Sequence, residues 1–250
     1  MNCVNAVKHQ YLLFLLALSF FTRIPVKLRA EIKPDMLHEA SRYFALVGVL
    51  IGVILATAYS IFNLFFPTEI SVLLTLAINI VLTGAFHEDG WADVWDGFGG
   101  GWSVEQKLNI MKDSRLGTYG AAALIIALML KYQSLLVLTS SIEFVIYALV
   151  LASTASRTLA TSLIFSLNYV SEDAKSKVKP VAKQLSVTSL LILVITSLCI
   201  LILGYVFSII TVTQILYLFV ILLITRISLK YWFTKQLGGF TGDCLGAAQI

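Results

Sequence analysis

"YFALVGVLIGVILATAYSIFNLF", residues 43 to 65, runs for 23 positions without a charged side chain. About 20 predominantly apolar residues suffice for an α-helix to cross a hydrocarbon layer of roughly 30 Å, and a helix satisfies its own backbone hydrogen bonds where lipid offers none. The stretch therefore reads as a membrane span. Comparable runs at 70–86, 118–140, 143–165, 186–208 and 212–230 bring the count to six, and a shorter run at 10–22 would make a seventh membrane segment. Lys131, inside the third run, must snorkel, face other protein or mark a shorter helix.

The composition agrees. Of 250 residues 58% are hydrophobic and 13% charged, with a mean hydropathy of +0.89, whereas soluble domains carry about a quarter charged residues. The expected fold is an all-α polytopic transmembrane helical bundle, a single integral-membrane domain over 1–250. "YLLFLLALSFF" (11–21) is followed by "TRIPVK" with no small-residue cleavage site, so it reads as a retained segment rather than a cleaved signal peptide. Cysteines at 3, 199 and 244 have no metal-ligand spacing and imply neither zinc nor a disulfide.

The formal charge of +4 is spread over several loops with no basic stripe among aromatics, which excludes nucleic acid as a partner. The basic residues sort instead by side. Arg23, Lys27, Arg29, Lys33 and Arg42, then Lys175, Lys177, Lys179 and Lys183, then Arg226, Lys230 and Lys235 fall on one side if six spans start at 43. The positive-inside rule makes that side cytoplasmic. The segment 87–117 falls there too.

That segment contains the chain's most unusual composition. "GAFHEDGWADVWDGFGGGWS" (84–103) packs Glu88, Asp89, Asp93 and Asp96 into nine positions. Crowded like charges cost stability unless cations offset them. On a helix Asp89, Asp93 and Asp96 share one face at i, i+4 and i+7, with Glu88 about a quarter-turn away. Converging hard oxygen ligands suit Mg2+, which keeps waters and is completed by substrate phosphates. The surrounding glycines permit tight turns and close ligand approach. His87 reads as a general base or as a hydrogen-bond partner that orients a carboxylate. The tryptophans read mainly as interfacial anchors.

"SVEQKLNIMKDSRLGTYG" (103–120) follows. Val104, Leu108 and Met111 recur with a helix period, and Ser103 with Gln106 forms a capping-box pattern. Lys112 and Arg115 could grip phosphoryl oxygens while Asp113 orients a cation or an attacking hydroxyl. A second Gly/Asp cluster, "LGGFTGDCLGA" (237–247), holds Thr241 and Asp243. Two such clusters on one membrane face invite a single shared site. Arg23, Arg157 and Arg226, near predicted helix ends on that side, fit either snorkelling or ligand contact.

Acids for a divalent cation, bases for phosphate and glycine loops at a membrane surface describe phosphoryl-group transfer. "DVWDG" even matches the opening of the CDP-alcohol phosphotransferase motif, but Phe98-Gly99-Gly100-Gly101 follows where that family has Ala-Arg, and its later acids are missing. A transporter would place polar groups at the bilayer midplane of a repeated half-domain; neither pattern is present in the sequence.

Four motifs, "FFTRIPV" (20–26), "GAFHEDGWADVWDGFGG" (84–100), "IMKDSRLGTYG" (110–120) and "GGFTGDCLGA" (238–247), resemble those of the cobalamin synthase family, the adenosylcobinamide-GDP ribazoletransferases, in order and over essentially the whole chain. Trp91 departs from the family's usual Leu in H-x-D-G-L-A-D. The resemblance implies a Mg2+-dependent enzyme in the bacterial inner membrane. Such an enzyme joins adenosylcobinamide-GDP to α-ribazole or its 5'-phosphate, releasing GMP and giving adenosylcobalamin or its 5'-phosphate. It implies metal and diphosphate positioning by Glu88, Asp89, Asp93 and Asp96, completed by Asp243, with the active-site loops facing the cytoplasm. Lys112 and Arg115 would bind phosphate, and Asp113 and His87 would accept or relay a proton.

Overall fold

The computed structural model describes residues 3–28, 36–170 and 182–250. Of the basic residues that set the expected sidedness, Arg29, Lys33, Lys175, Lys177 and Lys179 lie outside the described residues. The described chain is helical, with one isolated parallel bridge between Tyr169 and Phe240. Its helices are α1 (Cys3–Phe21), α2 (Met36–Ala40), α3 (Phe44–Phe65), α4 (Thr68–Thr83), α5 (Phe86–Gly100) and α6 (Val104–Met111). They continue with α7 (Thr118–Leu138), α8 (Ile142–Ile164), α9 (Val187–Val206), α10 (Val212–Leu237) and α11 (Gly242–Ala247).

Five helical segments are long and apolar enough to cross a membrane: Met36–Phe65, Thr118–Leu138, Ile142–Ile164, Val187–Val206 and Val212–Leu237. The expected span at 70–86 differs in shape. α4 has 16 residues and qualifies only together with α5, from which it is bent by 86°. The bend is made by two consecutive left-handed residues, Gly84 (φ 67°) and Ala85 (φ 57°). Glycine adopts that conformation freely and alanine seldom does. The described part of α1 is not among the five, and it turns Leu13, Ala17 and Phe21 into the core.

α3 and α8 form the centre of the bundle. Gly48 and Gly52, four apart on α3, lie so close to the α8 backbone at Val150 and Ser153–Thr154 that no side chain fits between, the small-residue packing that lets helices approach in lipid. Val47, Ile51, Val145 and Leu149 are buried around that seam. By contrast α7, α9 and α10 present Ile125, Met129, Ile195, Phe219 and Ile224 outward, each more than half exposed, as helices facing acyl chains should.

One end of the bundle gathers the segments that carry chemistry. The Arg23 amide donates to the Leu82 carbonyl at 2.8 Å, the Lys183 amide to His38 Nδ1 at 3.0 Å, and the Phe240 amide to the Asn168 carbonyl at 2.9 Å. The helix turns at the other end, around 66–67, 139–141 and 207–211, contain no basic residue.

Candidate active site

α5 carries the acid row, and the helix period deals its side chains to different neighbours. Asp89 is exposed and Asp93 half-buried. α11 crosses them at Gly90: a Cβ there would stand 2.8 Å from the Asp243 carbonyl oxygen and 3.3 Å from the Gly246 Cα. Only a residue without a side chain allows that approach, and it brings Asp243 to the acid row. Asp93 feels the charges of Asp243, Asp89 and Asp96 together. Burial, and after it the charge of Asp89, pushes the Asp243 carboxyl up to about 6. The two Gly/Asp clusters of the sequence thus meet in one place.

α11 is held there by its own start. The Thr241 hydroxyl accepts from the Cys244 amide at 3.3 Å, capping the helix. Gly238, left-handed at φ 76°, ends α10, and the Tyr169–Phe240 bridge pins the connection.

Asp96 has a different partner. Its Oδ2 accepts from the Gly117 amide at 2.7 Å and its Oδ1 from the Gly120 amide at 2.8 Å. Gly117, the residue at the cap of α7, offers no side chain for this role, so a carboxylate from α5 satisfies the free amides and meets the positive end of the helix dipole.

Glu88 and His87 turn inward and are almost fully buried, at 4% and 5% exposure. Glu88 Oε1 lies 3.8 Å from Lys131 Nζ. Of the three readings open for Lys131, the structure selects the one in which it faces other protein. Arg157 completes the cluster, with its guanidinium 5.2 Å from the centre of the Phe21 ring and one amino group donating to the Ser153 carbonyl at 2.7 Å. The His87 ring stacks on Phe21. Both Glu88 oxygens, Arg157 Nε, His87 Nε2 and Trp91 Nε1 are buried without a hydrogen-bond partner among the described residues.

The remaining expected residues lie on the link between α6 and α7. α6 begins with the predicted capping box: the Gln106 amide donates to Ser103 Oγ at 3.2 Å, and Gln106 Oε1 accepts from the Ser103 amide at 3.3 Å. Lys112 is exposed at the α6 terminus. Arg115 clasps Asp113, donating from Nε to both carboxylate oxygens at 3.0 and 3.1 Å, from Nη2 to Oδ2 at 2.6 Å and from its amide to Oδ1 at 3.1 Å. Those hydrogen bonds hold the Asp113 carboxyl below its usual range. The link ends at the α7 start that Asp96 caps.

Some contacts were not legible in the motifs. Lys107 Nζ donates to Gln236 Oε1 at 2.6 Å, tying α6 to α10; neither residue carries a pattern that would have marked it. Arg226 donates to Ser162 Oγ at 2.8 Å and to the Ser162 carbonyl and Ser166 Oγ at 3.1 Å, closing the end of α8. Trp91, Trp95 and Trp232 form an aromatic row between α5 and α10, with successive ring centres 5.6 Å apart.

Three features bear on a cation. Asp89, Asp93 and Asp243 have no ion-pair partner among the described residues. They repel one another, and their oxygens are hard donors. Among the described residues no three His, Cys, Asp or Glu side chains form a ready-made cage. This donor set fits an ion that takes one or two carboxylates and fills its shell from water and substrate phosphate.

Known proteins resemble the whole chain. A family model described as cobalamin-5-phosphate synthase matches residues 13–250. A Shewanella piezotolerans protein named adenosylcobinamide-GDP ribazoletransferase is 49% identical over 97% of this chain and 92% of its own length. Proteins of the same name from Vibrio parahaemolyticus and Shewanella frigidimarina are 44% and 49% identical, over 97% and 95% of this chain and 89% of each relative. No solved structure matches significantly.

Proposed function

The chain belongs to the cobalamin-5-phosphate synthase family, and from that premise we propose that it is a multi-pass membrane transferase joining adenosylcobinamide-GDP to α-ribazole or α-ribazole 5'-phosphate. A ribose hydroxyl attacks the cobinamide-side phosphorus, the bond from that phosphorus to the GMP oxygen breaks, and GMP leaves. The 5'-oxygen is already esterified in α-ribazole 5'-phosphate, so the attacking group is a ribose hydroxyl other than the 5'; the same hydroxyl serves with either acceptor, and the phosphorylated one gives adenosylcobalamin 5'-phosphate. The family description supports the phosphorylated acceptor. The observation that carries the reading is the α5–α11 crossing at Gly90, which brings acids from two separate motifs to one face.

Asp89, Asp93 and Asp243 are the residues proposed to hold Mg2+. Bound there, Mg2+ would neutralise diphosphate charge and favour departure of GMP. Asp96 sets the height of α7 against α5 and so the register of the acid row. Glu88 and His87 face the interior, which suits orientation of α5 rather than contact with the reacting atoms. Lys112 and Arg115, both exposed, are available to phosphate oxygens. A phosphate that takes the Arg115 guanidinium releases Asp113 from its pair, and Asp113 then accepts the hydroxyl proton. The positive-inside rule supports a cytoplasmic orientation of this face, and the proposed location is the bacterial inner membrane.

Purified protein in detergent or lipid, given adenosylcobinamide-GDP, α-ribazole 5'-phosphate and Mg2+, should release GMP and cobalamin 5'-phosphate. Folded protein that forms neither, and that turns over a CDP-alcohol instead, would refute the assignment.

A further inference from the structure

Beside the acid row, between the end of α1 and the α4–α5 corner, lies a cleft of about 330 Å3 whose lining includes Thr22, Arg23, Gly84, Ala85 and Asp89. Small-molecule sites run from about 300 to 1,000 Å3, so the cleft suits one group of a substrate rather than a whole corrinoid. Arg23 is exposed and its guanidinium has no hydrogen-bond or ion-pair partner among the described residues. Its backbone is held at the corner by the bond from its amide to the Leu82 carbonyl, and its guanidinium lies directly on Gly84, where any Cβ would overlap Nε. The same corner stores strain: Ala85 is left-handed without being glycine, and no side chain caps the α5 start beside it. Such outliers persist where the surroundings over-determine them, often at ligand clamps.

Resting on the reading above, we propose that this cleft is a phosphate subsite in which Arg23 receives a phosphate group of one substrate, while Asp89, which also lines the cleft, links it to the cation-binding acids. An arginine fork matches phosphate oxygens in two parallel bonds. The α5 amides at the uncapped start add partial positive charge. One carboxylate on the wall would repel a bare phosphate, and it would become an asset with a divalent cation bound beside it. Two groups carry the right chemistry: the 5'-phosphate of the acceptor and the diphosphate of the donor.

Steady-state kinetics of Arg23→Gln and Arg23→Lys with each acceptor separate these sources. Arg23→Gln raises one KM by roughly tenfold or more, as loss of a charge-assisted pair implies, and Arg23→Lys, which keeps the charge and loses the fork, recovers part of it. A rise for α-ribazole 5'-phosphate but not for α-ribazole assigns the cleft to the acceptor; a rise for adenosylcobinamide-GDP with either acceptor assigns it to the donor. If Arg23→Gln leaves every KM unchanged, as expected of an arginine that only anchors to lipid headgroups, the subsite is refuted while the proposed function stands. If the wild type turns over neither substrate, inorganic phosphate decides. Phosphate that raises the melting temperature of wild type in detergent but not of Arg23→Gln supports the subsite, and equal stabilisation of both refutes it.

Discussion

Gly90 and Gly246 face each other where α5 crosses α11, so closely that a Cβ on Gly246 would sit 3.5 Å from the Gly90 Cα. The crossing is what makes one site of two motifs. Gly90→Ala places a methyl 2.8 Å from the Asp243 carbonyl and must push α11 away. Overpacking of this kind costs about 1–3 kcal/mol. Turnover should fall much more steeply than stability does, and thermal unfolding in detergent beside GMP release would check both.

Asp89→Asn and Asp93→Asn should lower turnover by about a hundredfold or more, the scale on which preorganised electrostatic groups act. They should not destabilise the cation-free protein, because each relieves repulsion among the carboxylates around Asp93. Melting temperatures measured with EDTA and with Mg2+ test this. Near-normal activity in both variants would return these acids to an ordinary solvated helix face.

Asp96→Ala makes the contrast. It removes the acceptor for the Gly117 and Gly120 amides and should cost on the order of 1–2 kcal/mol, as lost helix caps do, with or without Mg2+. Slower hydrogen exchange of those two amides in wild type than in the variant would verify the cap directly.

Glu88→Gln leaves Lys131 without its ion-pair partner, and Lys131→Met leaves Glu88 with Arg157 as the remaining cation of the cluster. Breaking a buried pair from one side costs about 3–5 kcal/mol, whereas removing both charges is frequently close to neutral. The double variant Glu88→Gln/Lys131→Met should therefore lose less stability than the sum of the two single losses. Additive losses would show that the two residues act independently.

Asp243 supplies a pH dependence. Its carboxyl is pushed up to about 6 in the folded protein from 3.8, so between these values the folded state holds a proton that the unfolded chain has released. The contribution of Asp243 to the stability of the cation-free protein should be fully present below about pH 4, decline as pH rises through 6 and level off above it. The total is on the order of 3 kcal/mol. Asp243→Asn should remove this contribution and make the slope shallower, leaving the part due to the neighbouring acids of α5, and chemical denaturation of the two proteins across that range measures the difference.

Hydropathy alone carried the fold a long way, because lipid demands long apolar helices and Val187–Val206 or Ile142–Ile164 could be little else. It could not foresee that α4 stops at Gly84, since the apolar run continues past the bend. The capping box at Ser103 was legible because its contacts are local, within one helical turn. Helix periodicity placed Glu88 away from Asp89 and Asp93, yet nothing in the period says what a face will meet. The pairing of Glu88 with Lys131, and of Asp96 with the α7 start, depends on how α5 lies against α7. The meeting of the two Gly/Asp clusters was expected from composition and sidedness, and the crossing at Gly90 gives it a geometry.

The α5–α11 crossing also bears on the order in which the molecule assembles. Helical hairpins such as α3–α4 form from neighbours in sequence and need close only short loops, whereas Asp243 reaches Asp93 only after α7, α8, α9 and α10 have been arranged between them. Contacts of such long separation are intrinsically slow to form. During biogenesis the acids of α5 therefore wait in an incomplete bundle, and a defect that slows helix assembly anywhere between them should appear as inserted, helical, inactive protein.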